Sequence, residues 1–468
     1  MKKVVVLGTL VLTLTSMTMS TKAGERVSLG YIYSASKSHT QIVEATNGGV
    51  NVVSPTTFDL NEDGTLQVNQ IADEEFVVNM HAKGIKVTPF LSNHWGRKRA
   101  EAALDNPERL VNELVEAIEI YDYDGVNVDL ENLAMSYQDK LTEFVKLLRH
   151  SLPKEKIVSV AVAANPERLT SSWVAVYDNK ELAKYADYLV LMAYDEHSYG
   201  GAEGPVASIG FVEKAIKVAL EEVSRDKLVL GMPLYGRVWQ EGKDVGGEAV
   251  IMAQIPRILK KYKLVPKYDI ETQTPQIILT IESGDKGPYV NGDYLEEGIY
   301  HIYFENENSM KAKLTLVNQY DILGGALWAL DNESMDLWNY YYDELNAVPY
   351  ESDKEIRLRE KYEYAVKNLV GEPEIAMIAV GTIDLFDEVS IERKEQKNEE
   401  IIAKTEKVEE DLMEDMHVVK KVKNYKFIRK MVRMKKELQN VTNKVKNGFT
   451  NYVNNDIISL FQRKVLSI

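Results

Sequence analysis

Asn127, Asp129 and Glu131 alternate with Val126, Val128 and Leu130 in the run DGVNVDLEN, residues 124–132. In a β-strand successive side chains point to opposite faces, so the three polar groups share one face and the three aliphatic groups the other. The aliphatic set suits burial. The polar set is costly to bury unless it is paired, hydrated or put to use. A carboxyl at the end of such a strand suits general acid chemistry, because partial burial raises its pKa toward working pH. Its neighbour two residues back lies roughly 6–7 Å away on the same face, close enough for both to serve one bound substrate. On spacing alone, Glu131 and Asp129 read equally well as a helix cap and an ion-pair partner in a loop.

The surrounding chain shows what must position this row. From Arg26 to about Leu345, short apolar runs alternate with amphipathic stretches. The strand-like runs are Val27–Ile32, Val50–Ser54, Ile85–Leu91, Val126–Leu130, Ile157–Ala163, Tyr188–Ala193, Leu228–Leu234 and Gly324–Leu330. Helical patterns between them include Asp73–Lys83, Glu108–Ile120, Gln138–Leu152, Glu181–Tyr185 and Val212–Ser224. This pattern predicts an α/β fold, a (β/α)8 TIM barrel over residues 24–349. Active sites of such barrels lie at the C-terminal ends of the strands, which puts Glu131 at the mouth of strand four. The seventh connection is too long, and its Gly, Pro and Asn-Gly turns with short β-type runs predict a small α+β insertion over about 240–308.

A net charge of −16 over 468 residues argues against a nucleic-acid partner. With no cysteine, a disulfide framework, a thiolate metal site and a cysteine nucleophile are excluded. The seven histidines have no metal-ligand spacing, and no glycine-rich phosphate loop follows a strand, so no metal and no cofactor are expected. Lys2 and Lys3, the apolar run Val4–Leu14 and the small residues before Gly24 read as a signal peptide over 1–23, hence a secreted, extracytoplasmic bacterial protein, expected to be a monomer. Residues 350–468 read as a charged, mostly helical or partly disordered extension. From Lys420 onward it carries 13 Lys and Arg against 2 acidic residues. Such a tail suits docking on an anionic cell-wall or membrane surface; pairing with the acidic barrel and a functionless appendage are the alternatives.

The run Asp124-Gly125-x-Asn127-x-Asp129-x-Glu131 resembles the DGxDxDxE signature of glycoside hydrolase family 18, the chitinase-like family. Met192-Ala193-Tyr194-Asp195 resembles the family's M-x-Y-D at strand six. Gly231–Arg237 resembles G-x-P-x-Y-G-R at strand seven, and Gly324–Trp328 resembles the last strand with its floor tryptophan. The resemblance spans about residues 26–346. Within the family, Val52–Thr56, Asn61–Gly64 and Asn127 are similar to the branch acting on peptidoglycan and spore cortex.

The resemblance implies retaining, substrate-assisted hydrolysis of β-linked N-acetylglucosamine glycans, in which the sugar's own acetamide is the nucleophile. Carried over, Glu131 is the general acid and base, Asp129 orients the acetamide, Tyr194 binds its oxygen, and Asp195 contacts the sugar or the acid. Trp328 forms the floor. Met192, Tyr235, Arg237 and Tyr31 join the substrate-binding set, with Trp95 a further aromatic candidate. Asp124 and Gly125 read as structural parts of the motif. Peptidoglycan is the leading substrate and chitin the runner-up; a non-catalytic glycan-binding protein is the alternative of another class. Asn127 departs from the family's Asp. It cannot titrate, and it is expected to donate a hydrogen bond to Asp129 and ease that group's ionisation.

Overall fold

The structure is a computed structural model that describes residues 25–33, 37–69 and 74–348, with residues 350 and 356. The signal segment, the helix start at Asp73 and all but those two residues of the 350–468 extension lie outside the described residues.

The central sheet closes into an eight-stranded parallel barrel. Its strands are Val27–Ile32, Val52–Pro55 continued by Phe58–Leu60, Lys86–Val87 continued by Phe90–Ser92, Gly125–Asp129, Ile157–Ala163, Tyr188–Met192, Leu228–Pro233 and Gly324–Trp328. Strand three, expected as the single run Ile85–Leu91, is broken near Pro89, and strand two, expected over Val50–Ser54, resumes past Pro55 as Phe58–Leu60. Proline supplies no ladder N–H, so the pairing shifts there from one half-strand to the next. A short strand, Leu66–Val68, turns back antiparallel on Phe58–Leu60.

Helices follow the strands as the amphipathic patterns require. Pro107–Ile120 buries Leu110, Val111, Leu114, Ala117 and Ile118, a stripe at helical spacing. Gln138–Ser151 does the same with Leu141, Phe144, Val145 and Leu148. Helices also form where no helical pattern was named, at His39–Ala45, Arg97–Leu104, Glu307–Gln319 and Tyr341–Leu345. Arg97–Leu104 is short and mostly polar, with little stripe to read. The outer faces of the strands, Val126 and Val128 among them, pack on the helices in one continuous core. A second cluster fills the barrel interior with Leu29, Tyr31, Phe90, Tyr188, Val190, Val229 and Ala326.

The insertion is a five-stranded antiparallel sheet in the order Glu248–Ile251, Tyr235–Gln240, Gly298–Tyr303, Thr274–Ile281, Lys267–Asp269. Its apolar face packs on the helix Ile255–Tyr262 around Val238, Ile258, Leu279 and Ile302. The sheet begins at Tyr235, not near 240. The chain leaves the barrel at Pro233 and enters the insertion after a single intervening residue, so the apolar pattern carries no gap to read.

At the foot of strand four, Asp124 accepts from the Val87 amide at 2.7 Å and faces His81 Nε2 at 2.8 Å. This ties strand four to strand three and to the helix Glu74–Ala82. Gly125 follows at φ +153°, where an added Cβ would stand 1.9 Å from the Ile157 carbonyl oxygen. The backbones of strands four and five touch here, and only glycine fits. Gly125→Ala is expected to cost at least ~2 kcal/mol, read as a lower urea midpoint at unchanged slope.

Candidate active site

Strand four is buried throughout, with Asn127 fully enclosed and Asp129 nearly so. Both lie on the inner face, as the alternation requires. Asn127 spans the barrel interior: its Nδ2 donates to Ser159 Oγ on strand five at 2.8 Å, and its Oδ1 accepts from the Tyr31 hydroxyl on strand one at 3.0 Å. The expected hydrogen bond from Asn127 to Asp129 is not made: the amide is oriented across the barrel, toward Ser159 and Tyr31. Nor is Asp129 eased toward ionisation. Burial pushes its carboxyl above the usual carboxylate range, and its buried Oδ1 has no hydrogen-bond partner among the described residues.

Glu131 lies two residues beyond the last strand residue, at the barrel mouth, and is half-buried. Burial raises its pKa most, and the negative charges of Asp129 and Asp195 raise it further. Among the described residues neither Asp129 nor Glu131 has an ion-pair partner. Two desolvated carboxyls without a cation hold a proton between them near neutral pH. Glu131 has Asp195 as a further anionic neighbour, and the two carboxyls share the proton as a pair. The arrangement puts one member of a proton-sharing pair at the mouth and the other beneath it.

Tyr194, just past strand six, is half-buried. Burial, then the neighbouring Tyr235, Tyr31 and carboxyl groups, push its phenol well above the ordinary tyrosine range, so it stays a neutral donor. Gly231 on strand seven makes room for it: a Cβ there would stand 3.1 Å from the tyrosine ring and 2.8 Å from the Leu191 carbonyl oxygen. Met192 closes strand six, half-buried, in register with Ala163 and Gly231. Asp195 holds a left-handed backbone, φ +59°. It accepts from the Tyr235 hydroxyl at 2.7 Å and from Arg237 Nη2 at 2.5 Å. Both donors belong to the first strand of the insertion, which thereby fixes one wall of the mouth.

Trp328 ends strand eight and its peptide bond to Ala329 is cis. Tyr31 and Phe90 pack edge-on against its ring at centroid distances of 5.3 and 5.8 Å, and the exposed Tyr33 lies tilted at 5.5 Å. Tyr31 and Tyr235, expected in the substrate-binding set, are only 3% and 7% exposed. Their hydroxyls donate to Asn127 and Asp195. Trp95 is 50% exposed and leans edge-on against Trp173 at 4.7 Å. Tyr33 and Asn93 lie outside every recognisable motif and join the site only in the folded structure. Asn93 is fully buried and bonds to the backbone of Glu131. Among the described residues no cluster of three or more His, Asp or Glu is placed to hold a metal ion, and no helix is long and apolar enough to cross a membrane.

A parallel eight-stranded barrel with a desolvated acid at one strand mouth, a second carboxyl beneath it and aromatic side chains around both defines a barrel glycosidase. The chain belongs to glycosyl hydrolases family 18, whose model matches residues 29–333. It is 25% identical over 303 residues to the uncharacterized glycosylase YvbX of Bacillus subtilis, covering 62% of this chain and 83% of that protein. It is 27% identical over 245 residues to the cortical fragment-lytic enzyme of the same organism, covering 51% of this chain and 54% of that enzyme, so it spans about half of that relative's length. In fold it resembles the Bacillus cereus spore cortex-lytic enzyme SleL, with a TM-score of 0.60 at 19% identity over 68% of this chain and 74% of that one. A chitinase from Chromobacterium violaceum is similar too, with a TM-score of 0.59 at 23% identity over 68% and 99% of the two chains.

The raised carboxyls predict a stability effect with a definite sign. A group whose folded-state pKa lies above its unfolded value contributes stability that is complete at low pH and is lost as pH rises toward the folded pKa. Glu131→Gln removes that loss. Its melting temperature is expected to match wild type near pH 4 and to exceed it by roughly 2–5 °C near pH 8, read by calorimetry across the range.

Proposed function

We propose that this glycosidase hydrolyses β-linked N-acetylglucosamine glycans with retention and with help from the substrate, and that bacterial peptidoglycan is its substrate. The observation that carries the reading is the proton arrangement at strand four. Burial raises both carboxyls above the usual range, with Glu131 at the mouth and Asp129 on the same face one pleat deeper. Glu131 gives its proton to the glycosidic oxygen as the C1–O bond breaks. The acetamide carbonyl oxygen of the same sugar closes on C1 from the opposite side, forming an oxazolinium ring. Asp129 accepts the acetamide N–H and offsets the positive charge. The Tyr194 hydroxyl, kept neutral, orients the acetamide oxygen. Glu131, now ionised, takes a proton from the water that reopens the ring at C1. Trp328 offers an apolar face to the sugar bound there.

The peptidoglycan assignment draws support from the cortical fragment-lytic and spore cortex-lytic relatives, and from Asn127 in place of the aspartate of chitinases. Mass spectrometry of digests tests it. Purified peptidoglycan is expected to give fragments with new reducing ends at N-acetylglucosamine, and Glu131→Gln to lower the rate at least ~10³-fold, as a general acid that also serves as base would require. Cleavage of chitin oligomers with intact peptidoglycan would move the substrate to chitin. Glycan binding without cleavage by the wild type would make the protein a lectin of this fold.

A further inference from the structure

The catalytic acid does not lie on the sheet. Strand four ends at Asp129, and the ladder to strand three has its last pair at Ser92 and Asp129. Beyond that point the backbone of Glu131 has no strand beside it. Asn93 takes the strand's place. Its Oδ1 accepts from the Glu131 N–H at 2.9 Å and its Nδ2 donates to the Glu131 C=O at 2.8 Å. One side-chain amide thus makes the two bonds that a paired residue in a sheet would make. Asn93 is fully buried, so water does not compete for either bond.

The next residues lock the same two loops together. Arg97 donates from Nε to the Asn132 carbonyl at 2.6 Å and from Nη2 to Asn132 Oδ1 at 2.8 Å. Asn132 Nδ2 donates to the Trp95 carbonyl at 3.1 Å. From the far side the Tyr177 hydroxyl donates to the Leu130 carbonyl at 3.0 Å. His94, Trp95 and Asn132 all hold left-handed backbones, at φ +44°, +63° and +58°. Such conformations persist only where surrounding contacts over-determine them.

We propose that Asn93 is a positioning residue for the general acid. Its carboxamide aims the Glu131 side chain at the departing oxygen by fixing that residue's own peptide groups at both ends. The inference rests on the reading of Glu131 as the acid given above. Asparagine supplies one acceptor and one donor at the reach of a backbone pair, whereas aspartate lacks the donor and alanine lacks both.

The test compares two substrates. Purified peptidoglycan has a poor leaving group that needs the proton. A nitrophenyl glycoside of diacetylchitobiose has an acidic phenol that leaves with little help. Asn93→Ala is expected to lower kcat on peptidoglycan on the order of 10²-fold with KM within about two-fold, and to lower kcat on the aryl glycoside less than ten-fold. Equal losses on both substrates, or a kcat on peptidoglycan within two-fold of wild type, overturn the proposal.

Asn93→Asp gives a second reading if the alanine variant fails to fold. Its carboxylate cannot donate to the Glu131 carbonyl, but its carboxylic acid can. Its activity relative to wild type is therefore expected to rise as pH falls, and a ratio flat with pH overturns the proposal. Glu131→Gln, run alongside, separates the two claims. An active Glu131→Gln enzyme sinks the acid assignment itself, while an inactive one beside a fully active Asn93→Ala enzyme sinks only the role of Asn93.

Discussion

Everything about this site follows from two carboxyl groups, Asp129 and Glu131, held out of water with no cation beside them among the described residues. In most folds such a pair would meet an arginine or lysine. Here the barrel supplies neutral groups in its place. Asn127 is engaged with Ser159 and Tyr31, Tyr194 stays a neutral phenol, and the Arg237 guanidinium is held by Asp195 and the Gly247 carbonyl. A cation at Asp129 would lower its pKa and pull the shared proton off Glu131. Without one, an acid remains available at neutral pH. The stability given up at this point is recovered by the packed layers on either side, the barrel interior and the helical shell.

The division of labour between elements is clear. Strand four carries the row, and its outward valines fasten it to the helices. The insertion sends Tyr235 and Arg237 back to hold Asp195, so the sheet that follows strand seven acts on the loop that follows strand six. Loop three, through Asn93 and Arg97, carries the last stretch of strand four where the ladder stops. Three elements far apart in sequence converge on one acid.

Much of this was legible in the sequence. Period-two alternation told inside from outside on strand four, and the eight apolar runs located the barrel strands. The ordered motifs led to family 18, and that model matches most of the barrel. What could not be read was set by contacts without a periodic or local signature. Asn127 meets Tyr31 and Ser159, which lie 96 and 32 residues away, so an expectation built on the nearest carboxylate failed. The Asn93 bonds run from a side chain to backbone, which no spacing encodes. The chain crosses from barrel to insertion at Leu234 without a polar break. Pro89 divides strand three, although the run Ile85–Leu91 looks continuous by hydropathy, and strand two goes on past Pro55 beyond the run read for it. The aromatic candidates Tyr31 and Tyr235 are buried, with their hydroxyls bonded to Asn127 and Asp195, partners that no local pattern encodes.

The central claim is that Glu131 supplies the proton while the sugar's own acetamide, steadied by Asp129, attacks C1. Fluorination of that N-acyl group weakens the acetamide oxygen as a nucleophile and leaves the acid untouched. The most direct measurement is kcat for aryl glycosides of diacetylchitobiose carrying acetyl, monofluoroacetyl, difluoroacetyl or trifluoroacetyl at the reacting sugar. A stepwise fall in kcat over the series, with wild type and the Asp129→Asn variant converging as the acyl group loses its nucleophilicity, is the predicted result. A kcat insensitive to fluorination would contradict the account, because the attacking group would then have to come from the protein or from water.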